Sequence, residues 1–128
     1  METTTTEGIK ISVETMYQPE YSRASDNKHV FAYRISIENM NDFTVQLLRR
    51  HWFIFDSVGS RREVEGEGVI GEQPVIAPGG THQYVSGCSL DSDIGKMHGT
   101  YLMKRVHDDD NFKVRIPEFQ MITPFKLN

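Results

Sequence analysis

Apolar residues fall on every second position through most of this chain, and that period leaves little room for anything but strands. Ile9, Ile11 and Val13 alternate with Lys10, Ser12 and Glu14. Phe31, Tyr33, Ile35 and Ile37 alternate with Ala32, Arg34, Ser36 and Glu38. Val45 and Leu47 resume the pattern after a turn over Asn39, Met40, Asn41 and Asp42. His51-Trp52-Phe53-Ile54-Phe55 is apolar on both faces, which suits a central strand. Later strands are expected over 82–88, 100–106 and 112–116, with Phe119 and Met121 closing the pattern, and shorter ones over 62–65 and at Val75-Ile76. No window of helical length repeats its apolar residues at i, i+3, i+4 and i+7 between caps. Seven to nine strands at this spacing predict an all-β fold, an antiparallel β-sandwich with the lone Trp52 in its core.

The 128 residues suffice for one domain and are few for two. Residues 8–128 are expected to form it, behind a flexible N-terminal tail over residues 1–7. Residues 66–80 are expected to be a long loop, and residues 91–99 irregular. A net charge of −4 argues against a general nucleic-acid binder, since phosphate neutralisation supplies most non-specific affinity. Between residues 44 and 62, however, Arg49, Arg50, Arg61 and Arg62 face only Asp56, a local excess of +3. A short basic segment on an acidic chain favours a small anion or an acidic patch. No stretch is apolar enough for a membrane span, and the N-terminus lacks signal-peptide character. With one cysteine, Cys88, no internal disulfide can form, so a reducing, cytoplasmic location is expected.

Gly66-Glu67-Gly68-Val69-Ile70-Gly71 matches the G-x-G-x-x-G pattern of dinucleotide folds. There the glycines bend a strand into a helix whose free amides hold pyrophosphate. Here Pro74 and Pro78-Gly79-Gly80 block any following helix, so that mechanism fails. A weaker version needs no helix: consecutive amides can form an anion nest flanked by Arg49, Arg50, Arg61 and Arg62. The alternative is that the glycines only turn a corner between sheets. Arg49-Arg50-His51-Trp52 is the densest polar and aromatic run. On a strand, Arg49 and His51 share one face and Arg50 and Trp52 the other, and either pair could look outward. A guanidinium so presented suits bidentate recognition of a carboxylate or phosphate.

Other chemistry finds little support. The five histidines occupy no metal-ligand spacing. Asp108-Asp109-Asp110 beside His107 reads as a solvated hairpin turn, and Cys88 as a buried thiol without a nearby base. No catalytic residues, metal ligands or cofactor are expected.

Several ordered blocks resemble the ApaG family. They are Leu47-Leu48-Arg49-Arg50-His51-Trp52, the run from Glu63 to Pro74, Ala77-Pro78-Gly79, Tyr84 to Leu90, Gly95 to Tyr101, and Ile116-Pro117-Glu118-Phe119. The likeness covers about residues 8–125. It implies an immunoglobulin- or fibronectin-III-like β-sandwich, and an interaction module, since the family also occurs as a domain of eukaryotic F-box proteins and of a polymerase-interacting protein. It also carries a label of cobalt and magnesium resistance or efflux, which a chain without a span can serve only indirectly. The expected function is therefore non-catalytic protein binding. Its partner is unidentified, and its contacts are Arg49, Arg50, His51, Arg61, Arg62 and the loop of Gly66, Gly68 and Gly71. The alternative is a pyrophosphate or nucleotide ligand, with or without a divalent metal, at that loop.

Overall fold

The computed structural model describes residues 1–127, and nine antiparallel strands dominate them. They are β1 (Glu2–Thr6), β2 (Ile9–Tyr17), β3 (His29–Asn39), β4 (Val45–Asp56), β5 (Arg61–Glu67), β6 (Val75–Ile76), β7 (Thr81–Leu90), β8 (Ile94–Arg105) and β9 (Asn111–Ile122). One sheet runs β1-β2-β3-β7. The other runs β5-β4-β8-β9, with β6 also paired to β4. The inner faces meet in one core: Ile9, Ile11, Phe31, Ile35 and Ile37 from the first sheet oppose Leu47, Trp52, Met97, Tyr101, Met103 and Phe119 from the second. This is the expected β-sandwich, and no disulfide joins its sheets, because the lone Cys88 is a free thiol.

Residues 1–7 depart from expectation. Glu2–Thr6 is not a tail but the edge strand β1, in register with β2 from Glu2 opposite Val13 to Thr6 opposite Ile9. Glu7 and Gly8, at φ 48° and 77°, make the two-residue hairpin turn between them. The strand carries no apolar alternation, so period two could not reveal it, although threonine suits a pleated surface. It also closes one side of the sandwich. Thr4 Oγ1 donates to the Arg115 carbonyl at 3.0 Å, and the Arg115 amide donates to Thr6 Oγ1 at 3.3 Å. Likewise β8 begins at Ile94, inside the segment expected to be irregular.

Two register shifts re-aim side chains. Between β4 and β8 the register slips at Leu47/Arg49. Val45 and Leu47 face the core at odd positions; beyond the slip Trp52, Ile54 and Asp56 face it at even ones. A bulge inserts one unpaired residue and so exchanges the faces of everything after it. The second slip, at Met97/Gly99 against β9, does the same to β9: Val114 and Ile116 face inward before it, Phe119 and Met121 after it. Pro117, with no amide to donate, sits in that irregular stretch, where a ladder bond is already missing.

On the side opposite β1, among the described residues, no strand pairs with the outer edge of β5 or β7. The sandwich therefore stays open there.

Candidate functional site

The open side holds a cleft of about 290 Å³ between the two sheets. Val64 of β5 and the 69–71 turn form one wall, and Tyr84, Ser86 and Gly87 of β7 the other. Trp52, Ile54 and Tyr33 line its inner end, and Arg50 reaches in from β4. The bulge before Arg49 brings Arg50 there. It puts Arg50 on the inner face with Trp52 and turns Arg49 and His51 outward, resolving the two orientations that alternation left open.

Arg50 Nη1 donates to the Glu67 carbonyl at 2.8 Å and the Gly68 carbonyl at 3.0 Å. Gly66 lies directly against this guanidinium, and a Cβ there would sit 3.1 Å from both terminal nitrogens. Tyrosine hydroxyls gather around it. Tyr84 and Tyr101 share a short hydroxyl–hydroxyl hydrogen bond, and Tyr33 and Ser86 line the cleft beside them. Burial pushes the phenols of Tyr33, Tyr84 and Tyr101 above the ordinary tyrosine value, and nearby Arg50 partly offsets this, so all three are neutral hydroxyls at physiological pH. Arg62 spans the other end of the cleft. Its Nη2 donates to the Ser89 carbonyl at 2.5 Å and to Cys88 Sγ at 3.4 Å, tying β5 to β7. Burial pushes the Cys88 thiol up, Arg62 only partly compensating, so Cys88 is a poor thiolate nucleophile.

The glycine motif forms a turn, and its amides are largely committed. Val69 and Glu72 exchange backbone hydrogen bonds at 2.8 and 3.0 Å around Ile70 and Gly71, while the Gly68 amide donates to the Leu48 carbonyl at 2.9 Å. Ile70 and Gly71 have φ of 48° and 74°, the signature of a tight primed hairpin turn. The loop thus turns carbonyls, not amides, toward Arg50. Gly68 is required sterically: it sits at φ 62°, and a Cβ would lie 2.0 Å from the Glu72 carbonyl oxygen. Gly68→Ala is therefore expected to cost about 2–3 kcal/mol, read as a lowered denaturation midpoint. An unchanged midpoint would refute this structural role.

The four arginines do not converge. In register Arg50 faces Gly66, whereas Arg62 faces Ile54 four residues along β4, roughly 13 Å away at strand rise. Arg49 and Arg61 lie on the outer face of the sheet. Arg61 covers the Phe55 ring at 5.3 Å, and Arg49 borders a shallow hollow with Thr100 and Lys113. His51, also outside, meets Glu63 Oε1 through Nε2 at 2.5 Å. Outer-face alternation did not single out the rings beside it. His51 stacks on Phe53 at 4.6 Å, Phe53 on His98 at 5.1 Å, and His98 on Phe55 at 5.6 Å. Phe53 and Phe55 share a face in the sequence pattern, but only the β4–β8 register inserts His98 between them. The turn of His107 to Asp110 is occupied by its own cations: Arg105 pairs with Asp108 and Asp110, and Lys104 with Asp109.

Comparison with known proteins places the same architecture elsewhere. The family model for the ApaG domain matches residues 19–105. The chain is 45% identical over 120 residues to the Protein ApaG of Paramagnetospirillum magneticum, covering 94% of this chain and 92% of that one. It is 43% identical to the Protein ApaG of Pseudomonas paraeruginosa, covering 94% of each. A crystal structure of an ApaA protein from Bordetella pertussis superposes with a TM-score of 0.87 at 41% identity, over 91% of this chain and 94% of that one. Those matches span the β4–β5 segment, the glycine turn and both walls of the cleft, and on them the chain belongs to the ApaG domain family.

Proposed function

We propose that the chain is a non-catalytic binding module that takes an extended segment of a partner protein into the cleft between β5 and β7. The carrying observation is Ile70. A β-branched residue, it is held at φ 48° at the cleft mouth with 61% of its surface exposed. Left-handed backbone is costly for such a side chain, and glycine or asparagine would serve the turn better. Strain of this kind persists where a contact elsewhere uses it.

The surroundings support a peptide ligand. Two strand edges that are unpaired among the described residues offer backbone donors and acceptors to an extended chain. Val64 and Ile70 supply apolar contact, and Arg50, Tyr33, Tyr84 and Ser86 supply polar contact at the inner end. The pyrophosphate reading draws less support, because the Gly68, Val69 and Glu72 amides already have acceptors. A cytoplasmic setting fits the single buried thiol. No helix is long and apolar enough to cross a membrane, so this reading makes any link to cobalt or magnesium tolerance indirect.

A displayed random-peptide library is the direct test. Selected peptides are expected to shift amides of β5, β7 and the 68–72 turn. Ile70→Asn is expected to weaken their binding at least about tenfold while raising stability by about 1 kcal/mol. Pyrophosphate and ATP at millimolar concentration should leave residues 66–71 unshifted. Saturable shifts there, or selected peptides that bind without touching the cleft, would overturn the reading.

A further inference from the structure

On the outer face of the same strands, away from the cleft, we propose that His51, Glu63 and Glu65 form a site for one divalent transition-metal ion. The register builds it. His51 of β4 lies directly opposite Glu65 of β5, and Glu63 lies two residues along β5 on the same face. Opposed residues and same-face neighbours two positions apart are close enough in a sheet for three side chains to meet over one point. Their donor atoms already lie within 4.8 Å of one another, and His51 Nε2 is 2.5 Å from Glu63 Oε1.

Ligands of one zinc-sized ion, each about 2.0–2.2 Å from it, sit roughly 3–3.5 Å apart. The needed contraction falls on Glu65, whose exposed side chain can swing at little cost. The imidazole is already oriented, because its ring stacks on Phe53 at 4.6 Å with planes 28° apart, and a held ligand loses less freedom on binding. Among the described residues, no lysine or arginine ion-pairs with Glu63 or Glu65. The two carboxylates therefore repel each other in a spot where a cation would relieve them.

The donor set selects the metal. One imidazole nitrogen with two carboxylates suits Zn²⁺, Co²⁺ or Ni²⁺, whereas Mg²⁺ prefers an all-oxygen shell and keeps its waters. Three protein ligands leave further coordination positions to water. Arg49 and Lys113 border the adjoining hollow of about 110 Å³, and their charge opposes very tight binding.

Titration of the full chain with CoCl₂ tests this, followed by visible absorption and by paramagnetic perturbation of amide signals. One equivalent is expected to bind, perturbing residues 51, 63 and 65 first, and MgCl₂ at the same concentration should not. His51→Ala and Glu65→Gln should each weaken Co²⁺ binding at least about tenfold. Glu65 is exposed on an edge strand, so Glu65→Gln keeps the fold, and its amide spectrum provides the check. No saturation at millimolar Co²⁺, binding undiminished in both variants, or perturbation centred on another histidine would each overturn the proposal. The peptide-binding reading survives any of these results, since its cleft uses none of the three ligands.

Discussion

Replacing Trp52 with alanine is expected to lower the unfolding free energy by about 3–5 kcal/mol, the range for deleting a large buried aromatic. The indole is 3% exposed and central to a ring cluster. Tyr33 lies 5.5 Å away, Phe119 5.9 Å and Tyr101 6.5 Å, all at steep interplanar angles. Edge-to-face pairs of this kind add to simple area burial. A domain of this size has roughly 5–15 kcal/mol in total, so the loss is a large fraction of its stability. Urea denaturation reads this as a large fall in midpoint with an unchanged slope. Trp52→Phe should recover much of that loss by keeping the ring contacts. A shift below about 1 kcal/mol for the alanine variant would mean that Trp52 does not join the two sheets. Because Trp52 also lines the cleft, the peptide-binding test needs variants at its mouth, not here.

Gly99→Ala is the second large effect, expected at about 3 kcal/mol or more. A Cβ at this position would sit 2.1 Å from the His51 carbonyl oxygen, with the Trp52 Cα at 3.2 Å. Both are backbone atoms of the neighbouring strand, so no rotamer change relieves the clash. β8 would have to move away from β4 at the point where its register with β9 already slips. Gly87 is the matched comparison: it too lies in a strand, but a Cβ there would meet only the Phe31 carbonyl at 3.4 Å. Gly87→Ala is expected to change stability by less than about 0.5 kcal/mol. Equal midpoints for the two variants would show that β4 and β8 are not packed as closely as described.

The candidate site was readable to different depths at different residues. Gly68 and Gly71 were identifiable as positions where the chain must turn, because Pro74 and Pro78 exclude a helix after them. That their turn aims carbonyls at Arg50 was not, since it depends on which of two arginines faces inward. Arg49 and Arg50 are chemically identical, and a single unpaired residue near Leu48 decides between them. Arg61 and Arg62 are likewise adjacent, yet one covers Phe55 outside and the other binds β7 across the cleft. The His51, Glu63 and Glu65 cluster joins residues on two strands and exists only in one register.

Local chemistry determined the strands. Alternating side chains demand a pleated backbone with one buried face, and that demand is written residue by residue. From it came the all-β class, the sandwich, Trp52 in the core and the turns at Asn39–Asp42 and His107–Asp110. The edge strand of four threonines escaped because its pairing is carried by backbone groups every residue shares. Only the tertiary structure decided which edges stayed open, where the bulges exchanged the faces, and which cations met which carbonyls. Those outcomes depend on register between distant segments. Register is set by the packing of the whole core, and no window of the chain contains it.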